Sequence, residues 1–438
     1  MVPFVETAFL AGRSWICRSM MLALLGAILA GCGSTALKSE QPATPLAAIA
    51  ASATRVPASC PPAVLKVLAN VLSRVYHEGV ASERTGSATY LITTSTALRE
   101  AVESGNKAAA RAAAKVLLKT GHVSDLSVMR GTQTFIHVGG PALTPLQGTL
   151  LGADGAPIAT YVASVWADNG FLIEAGGITQ ALVVLSQDGH SVGGSPALST
   201  AGLATEGLLT RAHVVYRYIS LPAEAYPSGA MRIYLLVPLS STTPLCGHTS
   251  TDTTVKTLMR VAHLIYEGES GEAAQKQIRR VQSNEPLLEA VANRDPQATK
   301  LAIDTLLHEH VVRLRVSAGG QLLSDVGGPY VLAPVSAPLT QDGHEIGSLV
   351  LSIQDDEGYL RLARRLAGLD VLIYMYPTTH PLLVKDSLGP APGPALETVP
   401  ASGSYKYDGR SFRVFTVHAQ AFPSGPLTIR VLVPLPYP

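Results

Sequence analysis

The chain has 438 residues, enough for two or three domains rather than one. Charged residues make up 15% and the formal net charge is +1, which argues against an electrostatic grip on nucleic acid, as does the lack of any basic run interleaved with aromatics. The hydrophobic fraction of 47% is ordinary and can bury a sizeable core.

At the start of the chain, Arg13 and Arg18 precede the apolar run "MMLALLGAILAGC", residues 20–32. That run is too short to span a bilayer comfortably and suits the h-region of a signal peptide. It ends in Leu29-Ala30-Gly31-Cys32, then Gly33-Ser34. Small residues before a cysteine resemble the lipobox of bacterial lipoproteins. The resemblance implies a signal peptide over residues 1–31, acylation of the Cys32 thiol, and an extracytoplasmic protein held to the bacterial cell membrane by that lipid. The alternative is a plain secretory signal with an incidental cysteine. The long leader before Met20 would fit a start codon assigned too early. No later stretch reaches about 18 consecutive apolar residues, so nothing past the leader is expected to cross a membrane. Residues 32–59, including "TALKSEQPATPLAAIAASATRVPAS", are small, polar and proline-bearing, and read as a flexible tether.

After the tether the chain repeats itself. "LREAVESGNKAAARAAAKVLL" at residues 98–118 matches "LLEAVANRDPQATKLAIDTLL" at 287–307, and "HVGGP" ending at Pro141 matches "DVGGP" ending at Pro329. "LGADGAPIATYVASV" at 151–165 matches "LTQDGHEIGSLVLSI" at 339–353. The closing stretches "AYPSGAMRIYLLVPL" (225–239) and "AFPSGPLTIRVLVPL" (421–435) share nine of fifteen residues. The offset is 188 or 189 through most of the copy and 196 at its end. This is a tandem duplication, with copies at residues 60–246 and 247–438, each long enough to fold alone.

Cys17 belongs to the leader and Cys32 would carry lipid, which leaves Cys60 and Cys246 in an oxidising compartment where pairing is expected. They flank the first copy, so a bridge would clip its ends together; two unpaired buried thiols are the alternative. No CxxC or HExxH spacing occurs, and neither a metal nor another cofactor is expected.

Within the second copy Val255, Leu258, Met259, Ala262 and Ile265 fall at helical spacing. Asp295-Pro296 caps and opens another helix, with Ala298, Leu301, Ala302 and Leu306 as its apolar face. In "VVRLRV" the period changes to two, and Arg313 and Arg315 oppose Val312, Leu314 and Val316. Gly319-Gly320, Asp342-Gly343, Asp188-Gly189 and Asp408-Gly409 supply hairpin turns. A third helix opens at "DDEGYLRLARRLAG", and the strands "DVLIYMY", "SFRVFTVHA" and "LTIRVLVPL" complete the copy. Helices followed by hairpin-connected strands give an α+β fold with an antiparallel sheet and a long N-terminal helix in each copy.

This order, with the helix starting "DPQAT", the strand "VVRLRV" and the hairpin "GGQLLSDVGGP", resembles a single Cache domain, the extracytoplasmic PAS-like (PDC-type) sensor fold. The resemblance covers both copies. It implies a five- or six-stranded antiparallel sheet enclosing a small-molecule pocket on one face. Family members usually precede a transmembrane helix and a kinase, cyclase or chemotaxis module. This sequence stops at Pro438 directly after the sheet, so any signal would pass through a separate membrane signalling or transport partner.

Candidate site residues have competing readings. Arg313 and Arg315 share one strand face with no acid between them, and would hold a carboxylate or phosphate if that face lines a pocket. On a solvated face they would only snorkel. The first copy has Asp125 and Ser127 instead, so the copies are expected to divide their labour. His310 and Tyr330 join the arginines as candidate ligand contacts, although His308-Glu309-His310 also reads as a polar helix end. Asp355-Asp356-Glu357 reads as a helix cap rather than a catalytic or calcium cluster, with Asp168 as the counterpart of Asp356. G-x-S-x-G, Walker and G-x-G-x-x-G motifs are all missing, so no catalytic residues are assigned. The expectation is a lipoprotein that binds a small, anionic ligand without being an enzyme. A structural or interaction protein of the cell envelope is the alternative.

Overall fold

The computed structural model describes residues 59–120, 123–194, 198–268, 270–307, 311–375, 382–389, 393–423 and 425–437. Cys32, its leader and His310 lie outside the described residues. The first copy opens with helices α1 (Cys60–His77), α2 (Glu83–Thr94), α3 (Thr96–Glu103) and α4 (Lys107–Thr120). Six strands follow: β1 (Asp125–Arg130), β2 (Gln133–Gly139), β3 (Ala142–Leu143), β4 (Leu146–Leu151), β5 (Pro157–Ser164) and β6 (Trp166–Ala167). Helix α5 (Asp168–Thr179) leads to β7 (Leu182–Gln187), β8 (His190–Gly193), β9 (Glu206–Arg211), β10 (Val214–Tyr226) and β11 (Gly229–Pro238). A short helix, α6 (Leu239–Thr242), ends the copy.

The second copy repeats this order of helices and strands through its closing strand. It has α7 (Ser250–Gly268), α8 (Glu272–Gln282), α9 (Glu285–Ala292) and α10 (Pro296–Leu306). Then come β12 (Arg313–Ala318), β13 (Gln321–Gly327), β14 (Val331–Leu332), β15 (Val335–Gln341), β16 (His344–Ser352) and β17 (Gln354–Asp355). Helix α11 (Asp356–Ala367) precedes β18 (Asp370–Met375), β19 (Leu382–Asp386), β20 (Gly403–Tyr407), β21 (Arg410–Phe422) and β22 (Gly425–Leu435). The fold is α+β, and every strand pair is antiparallel in both copies.

Each copy carries two sheets where the resemblance implied one. The smaller runs β2-β1-β5-β4, and the larger β6-β3-β10-β11-β7-β8 with β9 added on β10. The second copy repeats both orders, β13-β12-β16-β15 and β17-β14-β21-β22-β18-β19 with β20 on β21. The turn chemistry explains the hairpins. Asp188-Gly189, Gly319-Gly320, Asp342-Gly343 and Asp408-Gly409 all join paired strands with positive φ at both residues, the geometry of two-residue hairpins.

Four helices, not two, precede the first strand of each copy, and side-chain caps mark the additional starts. Ser82 and Thr85 form a capping box at α2, and Asn284 accepts from the Leu287 N–H at α9. Asp295 accepts from the Gln297 and Ala298 N–H groups, as its sequence position indicated. The buried face of α10 is rotated from the predicted one: Thr299, Ala302, Ile303 and Leu306 are buried, whereas Leu301 is 63% exposed. Met259 likewise lies on the open side of α7.

The smaller sheets pack under the three short helices of their own copy, around Leu126 and Ile136 in the first and Leu314 and Leu349 in the second. The larger sheets behave differently. Their apolar faces and the helices α1, α5, α7 and α11 enter one continuous core, which includes Val71, Phe171 and Ile233 of the first copy and Val261, Tyr359 and Ile429 of the second. Each copy taken alone would therefore expose apolar surface that the other now covers. Tyr76 and Tyr266, near the ends of the long helices, repeat one contact: the Tyr76 hydroxyl accepts from Glu224 N at 2.9 Å, and that of Tyr266 from Gln420 N at 3.0 Å.

The bridge between Cys60 and Cys246 is formed, with Cα atoms 5.6 Å apart across 186 residues of chain. Loop closure over that separation is worth about 5 kcal/mol in the chain-entropy model. Cys60 also lies beside Thr253 of α7, so the bridge sits where the two copies meet and not only at the ends of the first. No helix among the described residues is long and apolar enough to cross a membrane.

Candidate functional site

The predicted anion site is occupied by the chain itself. Arg313 and Arg315 alternate with the buried Leu314 and Val316 on β12, so both guanidiniums leave the sheet on the face opposite the helices. Register places Asp325 of β13 opposite Arg315. Arg313 Nε donates to Asp325 Oδ1 at 2.8 Å, and Arg315 donates to Oδ2 through Nε at 3.0 Å and NH2 at 2.6 Å. Arg313 also donates to the Gly328 carbonyl at 2.5 Å. Both guanidiniums lie over the Phe422 ring, at 5.2 and 4.4 Å from its centroid. Burial pushes the Asp325 carboxyl up, but its bonds and charge attraction to the two arginines outweigh that and hold it below the usual range. The Tyr330 side chain is 39% exposed in the turn before β14, and its carbonyl accepts from Asp356 N at 2.9 Å.

The first copy has the opposite arrangement. Asp125 and Ser127 stand where the arginines stand, His137 replaces Asp325, and Tyr226 replaces Phe422. Ser127 Oγ and His137 Nδ1 share a hydrogen bond at 2.7 Å, while His137 Nε2 lies 3.5 Å from Asp125 Oδ2. The set contains the residue types of a nucleophilic triad. Ser127 is fully buried, and the carboxylate lies beyond good hydrogen-bonding distance of the ring. Neither Asp125 carboxylate oxygen has a hydrogen-bond partner among the described residues. Burial accordingly pushes Asp125 up to about 6 despite the neighbouring His137. Gly139 and Gly327 make both junctions possible. Each has positive φ, and a Cβ there would collide with Asp125 or with the Arg313 backbone.

The acids at "DDE" serve the helix. Asp355 Oδ1 accepts from Gly358 N at 2.7 Å, and Asp356 Oδ1 accepts from Glu357 N at 2.9 Å. Burial raises the carboxyls of both Asp356 and Asp168, its counterpart, against the lowering that a helix N-terminus by itself would give.

A more open polar site lies on the seam between the copies. A cleft of about 530 Å³ is bounded by Glu78, Arg84, Trp166 and Glu174 of the first copy and Arg361 and Arg365 of the second. Glu78 and Arg365 form an ion pair across the seam. The Arg84 guanidinium lies 5.1 Å from the Trp166 ring centroid. Glu174 makes no hydrogen bond among the described residues; burial raises its carboxyl, opposed by Arg84 and Arg365. Arg361 is exposed and has no ion-pair partner among them. Sequence reasoning missed this group because its members come from both copies and share no local motif.

No protein-family model and no curated protein matches the chain. Two solved structures show limited similarity. One is the ligand-binding domain of the Pseudomonas fluorescens chemoreceptor CtaA in complex with L-alanine, 12% identical, covering 40% of this chain and 95% of its own, with a TM-score of 0.25. The other is an extracellular ligand binding receptor from Desulfohalobium retbaense, 11% identical with a TM-score of 0.24. That alignment covers 52% of this chain but only 47%, about half, of the receptor. Both TM-scores are low, so neither likeness adds to what the topology already says of this chain.

The buried Asp125 generates a pH prediction. Its folded pKa of about 6 exceeds the ordinary aspartate value of 3.8, so its contribution is fully present below pH 4 and is lost as pH rises through 6. Asp125→Asn should therefore stabilise the protein at pH 7.5, by about 1–3 kcal/mol, and change little at pH 4. Urea unfolding of both proteins across that range checks it; a variant less stable at pH 7.5 would contradict it.

Proposed function

We propose that the protein is an extracytoplasmic small-molecule-binding module of the tandem Cache-like kind, anchored through a lipid on Cys32 and acting without catalysis or a cofactor. It would work with a separate membrane signalling or transport protein. The seam cleft carries this reading. It is in the size range of small-ligand sites and holds charged groups not consumed by the fold. A ligand's anionic group would face Arg84 and Arg361, and a donor on the same ligand would face Glu174. The tightly paired Arg313 and Arg315 leave less room for an anion, so the seam replaces them as the preferred site.

The binding test is thermal denaturation of the protein with a panel of amino acids, dicarboxylates, polyamines and sugars. A compound present at 100 times its Kd stabilises by about 2.7 kcal/mol. At least one compound should raise the midpoint, and Arg361→Glu and Glu174→Gln should each reduce its affinity ten- to a hundredfold. No stabilisation by any compound, or equal stabilisation of both variants, would contradict the reading. For the anchor, Cys32→Ser should leave the membrane fraction, as a soluble or unprocessed chain. Normal processing and membrane fractionation of that variant would exclude the lipid.

A further inference from the structure

A second groove, separate from the seam cleft, lies beside the disulfide. It has a volume of about 530 Å³ and runs between the segment before Cys246, the outer side of α7 and the middle of β21. Its floor is apolar, made by Pro244, Leu245, Met259 and Val417. Met259 is 42% exposed there, although Leu258, Ala262 and Ile265 of the α7 apolar stripe are buried. Along its rim stand Lys256, Arg260, His263 and His418.

The cations are held in place rather than left free to wander. Lys256 Nζ donates to the Cys246 carbonyl at 2.8 Å, which fixes the ammonium beside the bridge. Arg260 NH2 donates to Gln180 Oε1 at 2.9 Å, and Arg260 NH1 lies 3.8 Å from Glu267. Glu267 also meets His263 at 3.1 Å. Of the lysine, arginine and acidic groups at the rim, Lys256 and Arg260 against Glu267 leave one surplus positive charge. A single surplus charge above an apolar floor suits an amphipathic monoanion better than a phosphate dianion or a cation.

We infer that this groove binds an organic monocarboxylate with an apolar tail, its carboxylate between Lys256 and Arg260 and its tail on Met259 and Leu245. On the matching face of α1, Lys66 corresponds to Lys256 but Asn70 to Arg260, so the groove of about 440 Å³ beside Lys66 and Asn70 keeps one of the two rim cations and lacks the guanidinium.

Calorimetric titration of the whole protein with octanoate, octylamine and octanol tests this. Octanoate should bind, octylamine should not, and octanol should bind at least tenfold more weakly than octanoate. Met259→Glu and Arg260→Glu replace exposed side chains and should each weaken octanoate at least tenfold. His418→Glu, on the opposite wall, provides a variant independent of α7 and should weaken it as well. Arg361→Glu, in the seam cleft, should leave octanoate affinity unchanged, which separates failure here from failure of the seam reading. Absence of octanoate binding, equal binding of octylamine, or wild-type affinity in the folded groove variants would overturn the inference.

Discussion

Two large sheets bury their apolar faces against the same helices, and the remaining architecture follows from that constraint. The α1, α5, α7 and α11 helices lie in one core with both sheets, so neither copy completes its interior alone. Desolvating apolar surface is the main force that holds such a body together. The disulfide adds to it at the same place, since it joins the start of α1 to the chain entering α7. The ion pair between Glu78 and Arg365 then spans the seam beside the polar cleft. The interaction that unites the copies therefore also shapes the site between them.

Away from the seam the copies have diverged by exchanging charge. In the second, an acid on β13 is held by two bases on β12; in the first, an acid on β1 faces an imidazole on β2. The consequences for stability run in opposite directions. Asp325 is held low, so its contribution is present above the unfolded pKa and disappears as pH falls through the folded value. Asp125 is raised, so its contribution disappears as pH rises. A duplicated scaffold thus carries two junctions of the same geometry but opposite electrostatic response.

The sequence carried the repeat, the hairpins and the bridge because each depends on local chemistry or simple alignment. Aspartate-glycine pairs specify their turns, and the flanking positions of Cys60 and Cys246 suggested their pairing. It did not reveal the division of each copy into two sheets, because both sheets are antiparallel and have the same period of two. The rotation of α10 was missed because Leu301 falls within an apolar pattern yet faces outward. The pairing of Asp325 with the arginines is not legible along β12 itself, because the acid lies on the neighbouring strand. The hairpin at Gly319-Gly320 could have identified it, since folding the chain there brings Asp325 opposite Arg315 after one bulge. The seam cleft needs tertiary structure, because Arg84 and Arg361 have no relation in sequence.

The shared core is the claim on which both the fold and the seam site rest. Scanning calorimetry of the protein with the Cys60–Cys246 bridge intact tests it most directly. If one core unites the copies, they should melt in a single transition whose calorimetric and van't Hoff enthalpies agree. Two resolved transitions, each with the enthalpy of one copy, would contradict the account and leave the seam a contact between independent domains.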